Sequence, residues 1–260
     1  MPLLLESALP LPAAHDRTSP PLWLRITGVG ALALLAASPF FAHLIAGLIE
    51  KSGKPPRMPL AATVALQSLQ SLLLILLAAW GGGKFAPRLG LDAPVLRGAA
   101  RLSRVPQAAL AGTLATFAMM GAEQLFKPFL PAALSQASGS LGGPLLGFSA
   151  SFYGGVVEEI LLRWGLLSLF AFLLVKARLP RGSALVAANL LAALLFGAGH
   201  LPAVRALGVP FTAPLIADIV IVNAIGGLVF GWLFIRRGLE SAMVGHFTAD
   251  LWLHVVFAAL

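Results

Sequence analysis

The chain is a succession of long apolar stretches separated by short polar ones. The apolar stretches lie at about 23–49, 60–80, 106–126, 144–175, 183–200, 213–235 and 239–259. A helix needs roughly 20 apolar residues to cross a bilayer, and these lengths sit around that figure. The pattern predicts an all-α fold, a polytopic integral membrane bundle of seven to eight transmembrane helices. The fourth stretch decides between the two counts: it is either one steeply tilted helix or two pieces broken near Gly165. Pro39 is placed to kink the first helix. Residues 1–22 are Pro-rich and mixed in charge, and read as a flexible leader rather than a cleavable signal. Residues 23–260 read as one transmembrane domain with no internal repeat. The stretch 85–105 is basic and half apolar. It reads either as a short interfacial helix on anionic lipid or as a solvated loop. The Ser-, Gly- and Ala-rich stretch 131–143 reads as a loop.

Composition supports the membrane reading. The chain is 58% hydrophobic and 11% charged, with a mean hydropathy of +0.90, far above a soluble domain. Cysteine is absent, which excludes disulfides and thiolate metal sites. The net charge is +8, but no basic patch is interleaved with aromatics. The excess is therefore read as cytoplasmic loop charge and not as a nucleic-acid footprint. With the N-terminus inside, twelve Lys and Arg fall on the cytoplasmic side, from Arg17 and Arg25 to Arg236 and Arg237. Five fall on the other: Lys51, Lys54, Arg57, Lys127 and Arg205. That imbalance sets the expected orientation. The Ala-, Gly- and Leu-rich composition points to a bacterial inner membrane.

Three charges break the fourth stretch at mid-depth: Glu158, Glu159 and Arg163. A charge at the bilayer centre costs at least about 2.5–3.5 kcal/mol, so these are expected to face protein or a cavity. On a helix Glu159 and Arg163 are i and i+4 and can pair. Glu158 lies about 100° round the helix, where its own i+4 residue is Leu162. A structural ion pair beside an unpaired, desolvated carboxyl is one way to make a general base. The alternative is that all three charges lock helices together.

Polar groups on later helices can meet Glu158. Phe196 and His200 share a face at the end of the fifth helix, where Gly197 and Gly199 allow a close neighbour. Counted from the 176–181 loop, Glu158 and His200 lie at similar depth if the fourth helix is continuous. On the seventh helix, His246, Asp250 and His254 form one polar stripe, and Asp250 can orient or charge His246. The same count puts His246 shallower, which a re-entrant connection at 236–241 would reconcile. His254 reads as part of an internal hydrogen-bond ladder. Asn223 and Asp218 could line the same cavity or bond a neighbouring helix. Gln67, Ser68, Gln70 and Ser71 read as interhelical hydrogen-bonding groups, and Glu123 as an interfacial residue.

Glu158-Glu159-x-x-x-Arg163, Phe196-x-x-x-His200 and His246-x-x-x-Asp250 stand in that order on separate predicted helices. This set, over roughly residues 144–256, resembles the CPBP family of intramembrane proteases, also called the CAAX-protease or Abi family. That family includes the Ras-converting prenyl-protein endopeptidase. The resemblance implies a bundle of about eight spans. It implies that Glu158 is the general base and holds the attacking water with His200. His246, with Asp250, would stabilise the oxyanion. Glu159 and Arg163 would fix the helix, and Phe196 would pack beside the site. The family's last motif ends in Asn or Asp, and an ionised Asp accepts hydrogen bonds where Asn also donates. Relatives have been classed both as glutamate-type and as metal-dependent proteases. The first class requires no cofactor; the second would place Zn on Glu158, His200 and His246, although His-Glu-x-x-His is absent.

The expected function is an intramembrane endopeptidase acting on a membrane-embedded or lipidated protein or peptide in the bilayer. The substrate would be of CAAX, sorting-signal or bacteriocin type, with no nucleic-acid partner. The competing readings are a proton-coupled transporter using the buried carboxylates, and a catalytically silent membrane scaffold or immunity protein.

Overall fold

A computed structural model describes residues 20–53, 55, 57–99, 102–132 and 142–260. Most of the expected leader and most of the 131–143 loop lie outside the described residues, as do Arg17, Lys54 and Arg101. Every regular element among the described residues is helical, so the all-α membrane-bundle reading holds. We number the helices α1 (Leu22–Ala36), α2 (Ser38–Ser52), α3 (Leu60–Phe85), α4 (Val105–Phe126), α5 (143–176), α6 (Arg181–Gly199), α7 (Leu201–Ala206), α8 (Ala213–Arg237) and α9 (Leu239–Leu251). The last continues through a π-helical turn at Trp252–Val256.

By length and composition five helices can cross a membrane, or six if α1 and α2 form one broken span. That count does not confirm the expected seven to eight, because it treats two of the apolar stretches apart from the rest. The first apolar stretch is bent by 51° between α1 and α2, with Pro39 in the first turn of α2. Pro at that position is favourable for a new helix because the missing N–H is unpaired there anyway. The fourth stretch is one uninterrupted helical run with no break at Gly165. Two π-helical stretches, Tyr153–Glu158 and Ile160–Leu167, divide it internally.

The surface is apolar, and the interior mixes apolar side chains with small and polar ones. Leu32, Leu35, Leu66, Leu110, Leu114 and Val186 are exposed, while Glu159, Arg163, Thr116, Ser151 and Ser168 are buried. With lipid as solvent, helices associate through close packing of small residues and through polar contacts. Gly112 of α4 lies against the backbone of Gly245 on α9, and Gly227 of α8 against Ala193 on α6. Side chains at these glycines would push the helices apart.

The 85–105 stretch is neither an interfacial helix nor a free loop. It holds two short 3-10 turns, Pro87–Leu89 and Leu102–Arg104, and buries Leu89, Leu91 and Ala93. The Glu240 carboxylate accepts from Leu96 N at 2.9 Å, and Leu239 N donates to Asp92 O at 3.0 Å. Arg25 donates to Leu96 O at 2.9 Å and Arg181 to Leu89 O at 2.8 Å. These bonds strap the segment across the turn between α8 and α9. That turn is the single residue Gly238, at φ 100°, a conformation that favours glycine. The expected re-entrant connection is therefore absent, and the strapped segment covers the helix ends instead.

Candidate active site

α5 supplies three charged side chains to the site, and its local sequence explains how. The π-helical turns widen the helix, a feature found mostly at functional sites. Within the first of them, Gly154 and Gly155 face α9. A side chain at Gly154 would run into the Asp250 carboxylate, and one at Gly155 into Phe247 at 2.6 Å. The two glycines let α9 bring His246 against the carboxylates of α5.

Glu159 is the hub of this contact. Its Oε1 lies 3.0 Å from Arg163 Nη1 and 2.7 Å from His246 Nδ1, and Glu159 and Arg163 are 0% and 1% exposed. The i, i+4 ion pair is where the sequence places it. Its Nη1–H is not aligned on the oxygen, so the attraction is Coulombic more than a shaped hydrogen bond. Arg163 Nη2 donates to Gly227 O of α8 at 3.1 Å. Its guanidinium carbon lies 5.1 Å from the Phe196 ring and 5.6 Å from the Phe230 ring, within cation–π range. A buried charge is tolerable only when paired in this way.

Glu158 is handled differently. Its side chain keeps 22% of its surface and lies 4.0 Å from His246, Oε2 to Nε2. That is too long for a hydrogen bond and suits one bridging oxygen. His246 therefore faces Glu159 with one nitrogen and the Glu158 side with the other. Asp250 Oδ1 is 3.6 Å from Nε2. The sequence makes Asp250 the orienting partner of His246, but the short bond goes to Glu159. The reason is register: Asp250 is one turn on along the same helix, whereas Glu159 points straight across from α5.

Aromatic rings fix the imidazoles. Phe230 stacks on His246 at 4.4 Å with 15° between planes. Phe196 meets both histidines edge-on, His200 at 4.9 Å and His246 at 5.5 Å. His200 Nδ1 lies 2.9 Å from Phe196 O. A carbonyl can only accept, so Nδ1 carries the proton and the neutral ring presents Nε2 as an acceptor. Phe196 thus joins the two histidines. Phe230 and the Gly227 carbonyl belong to the site and escape a reading of sequence, because neither residue type announces chemistry. The one available signal is the small-residue run Gly226-Gly227 one turn before Phe230.

Other expected partners are not drawn in. Asn223 donates to Ile219 O of its own helix at 2.7 Å. Asp218 is buried, with its electrostatic neighbour Glu123 on α4. His254 is exposed and continues no ladder. Ser71 is buried and hydrogen-bonds Tyr153, while Gln67 and Gln70 are exposed. Among the described residues no three His, Cys, Asp or Glu side chains are arranged to hold one metal ion. The Nδ1 bond of His246 to Glu159 fixes this imidazole and leaves its Nε2 facing Glu158.

Residues 140–252 match the family model described as type II CAAX prenyl endopeptidase, Rce1-like. The matched stretch is a little under half of the chain, contains α6, α7 and α8, and includes Glu158, Glu159, Arg163, Phe196, His200, His246 and Asp250. No curated protein and no solved structure matches the chain.

Proposed function

Because the match over residues 140–252 assigns the chain to the CPBP family of CAAX proteases, we propose that it is a glutamate-type intramembrane endopeptidase. Its substrates would be membrane-associated proteins or peptides of the CAAX, sorting-signal or bacteriocin kind, in the bacterial inner membrane. The observation that carries the reading is the contrast within α5: Glu159 is buried and held through Oε1 by Arg163 and His246, whereas Glu158 is partly open, makes no hydrogen bond among the described residues and sits 4.0 Å from His246.

In the mechanism, the Glu158 carboxylate takes a proton from a water that also donates to His200 Nε2. The resulting hydroxide attacks the scissile carbonyl, and negative charge moves to the carbonyl oxygen. His246 keeps its Nδ1 proton on Glu159. In the imidazolium form its Nε2–H donates to that oxyanion, with Asp250 at 3.6 Å balancing the charge. A preorganised donor in a water-poor site is worth about 2.7–4 kcal/mol to the transition state. Collapse of the intermediate breaks the C–N bond, and the proton held by Glu158 passes to the leaving amine. No step in this scheme uses a metal.

The relay alternative requires a polar path to both faces. Directly after Arg163 the helix turns to Trp164 and Leu167, which are fully buried with Phe234 and Leu239. This apolar packing disfavours a relay and favours a site open on one side only. The test is a comparison of native membranes containing wild type or Glu158→Gln, with C-terminal peptides identified by mass spectrometry. We expect defined C-terminal fragments with wild type that vanish with Glu158→Gln. Identical fragments in both would overturn the assignment.

A further inference from the structure

One polar feature plays no part in this mechanism. Gln67, Gln70 and Ser71 of α3 stand at i, i+3 and i+4, so they share a face. Ser71, at the buried end, meets the hydroxyl of Tyr153. Tyr153 opens the π-helical stretch that Glu158 closes. A helix of this kind turns once in between four and five residues, so Tyr153 and Glu158 lie on adjacent turns of one side. Gln67 and Gln70 are exposed and make no hydrogen bond to protein among the described residues.

Yet α3 belongs to a candidate membrane span, Leu60–Leu89. Primary amides without partners are strongly unfavourable in hydrocarbon. Leu69, on the other side of α3, suits lipid, while the exposed Leu66 and Leu73 border Gln70 at i−4 and i+3. The glutamine face therefore needs a polar occupant. α3 packs on α1, α2 and α5 and forms no packed interface with α6, which carries His200. The face is thus free on the flank of the candidate active site.

Resting on the proteolytic reading, we propose that Gln67 and Gln70 dock the main chain of an extended substrate peptide and lead its scissile bond past Tyr153 to Glu158. A glutamine amide offers two donors and an acceptor, the complement of a peptide group. Three helical residues rise about 4.5 Å, little more than one residue of extended chain at about 3.3 Å. The two amides can therefore meet neighbouring peptide groups, holding main chain and leaving side-chain sequence free. Continuity with Ser71, Tyr153 and Glu158 favours a substrate over a second copy of the chain, whose contact would have no reason to end at the site.

The absence of cysteine makes the test direct. Full-length Gln67→Cys, Gln70→Cys and Leu69→Cys proteins in membranes are reacted with a water-soluble maleimide. The reactions run with and without a farnesylated peptide ending in a CAAX box. Thiolate forms in water and not in hydrocarbon, so positions 67 and 70 are expected to react at least about tenfold faster than 69, and the peptide to slow both. Equal rates at all three positions, or no protection by the peptide, overturn the proposal. Disulfides between copies through 67 or 70 assign the face to self-association and overturn it too. In the kinetic arm, Gln67→Leu with Gln70→Leu is expected to raise KM about tenfold at unchanged kcat. Unchanged KM rejects docking. Protection in Glu158→Gln protein, which does not turn over, separates docking from chemistry. Protection of 67 and 70 without any cleavage by wild type rejects the proteolytic reading and supports the docking face.

Discussion

Glu158 and Glu159 are neighbours on one helix and live in opposite surroundings. Around Glu159 everything is closed: Arg163 and His246 crowd one oxygen and no surface remains. Around Glu158 the side chain is partly open, with His246 at 4.0 Å and no hydrogen bond among the described residues. The difference teaches that one step of helical rotation separates a carboxylate used for architecture from one available for chemistry. It also shows why the architectural one must sit next door. Glu159 holds the imidazole that faces Glu158, so the closed region sets the geometry of the open one.

The comparison can be broken from the closed side first. Arg163→Leu leaves Glu159 buried without its cation, at a cost of roughly 3–5 kcal/mol. We expect loss of folded protein in membranes, read as abundance and as a melting shift in detergent, with partial rescue by adding Glu159→Gln. Normal abundance of Arg163→Leu would mean that Glu159 has another counter-charge. Next is the helix contact that joins the two regions. Gly154→Ala puts a methyl group into the Asp250 carboxylate and should displace α9 from α5. Misplacement by about 1 Å costs about 10²-fold in rate, so cleavage should fall by that order with most of the fold retained. A wild-type rate would show that the α5–α9 contact does not set the site.

How much of this was legible in the sequence follows from the kind of force involved. The ion pair was legible because i, i+4 spacing is a property of one helix. So, as one of two readings, was the continuity of α5, on which the residue count from Glu158 to His200 depends. The bond from His246 to Glu159 was not, because it depends on the rotation of α9 about its own axis. That rotation is set by Gly154 and Gly155 packing on α9. Phe230 was invisible for the same reason: an apolar residue on an apolar helix carries no mark of what it stacks on. The helix count was only partly legible, since apolar length does not report the 51° bend after α1.

Smaller effects sharpen the open side. Asp250 lies 3.6 Å from His246 and is not its short-bond partner. Asp250→Asn should therefore reduce kcat by about tenfold or less, near one charge-assisted contact, in steady-state cleavage assays. A loss as large as that of Glu158→Gln would make Asp250 an essential member. The smallest effect expected is that of chelators. No three-ligand set is gathered among the described residues, so on the glutamate-type reading EDTA and phenanthroline should leave the rate within about twofold. Loss of activity restored by added Zn would show a metal-dependent enzyme and contradict the glutamate-type reading.

The central claim is that Glu158 does the chemistry and Glu159 holds the frame. The most direct measurement is the cleavage rate of purified Glu158→Gln and Glu159→Gln in nanodiscs, beside the melting temperature of each. Glutamine keeps the size and removes the charge, so Glu158→Gln should melt like wild type and lose about 10²–10⁴-fold in kcat. Glu159→Gln should melt lower, because Arg163 is left buried without its counter-charge. Whatever fraction of it stays folded should still cleave. A folded Glu158→Gln protein that cleaves at the wild-type rate, beside a folded Glu159→Gln protein that does not, would contradict the account.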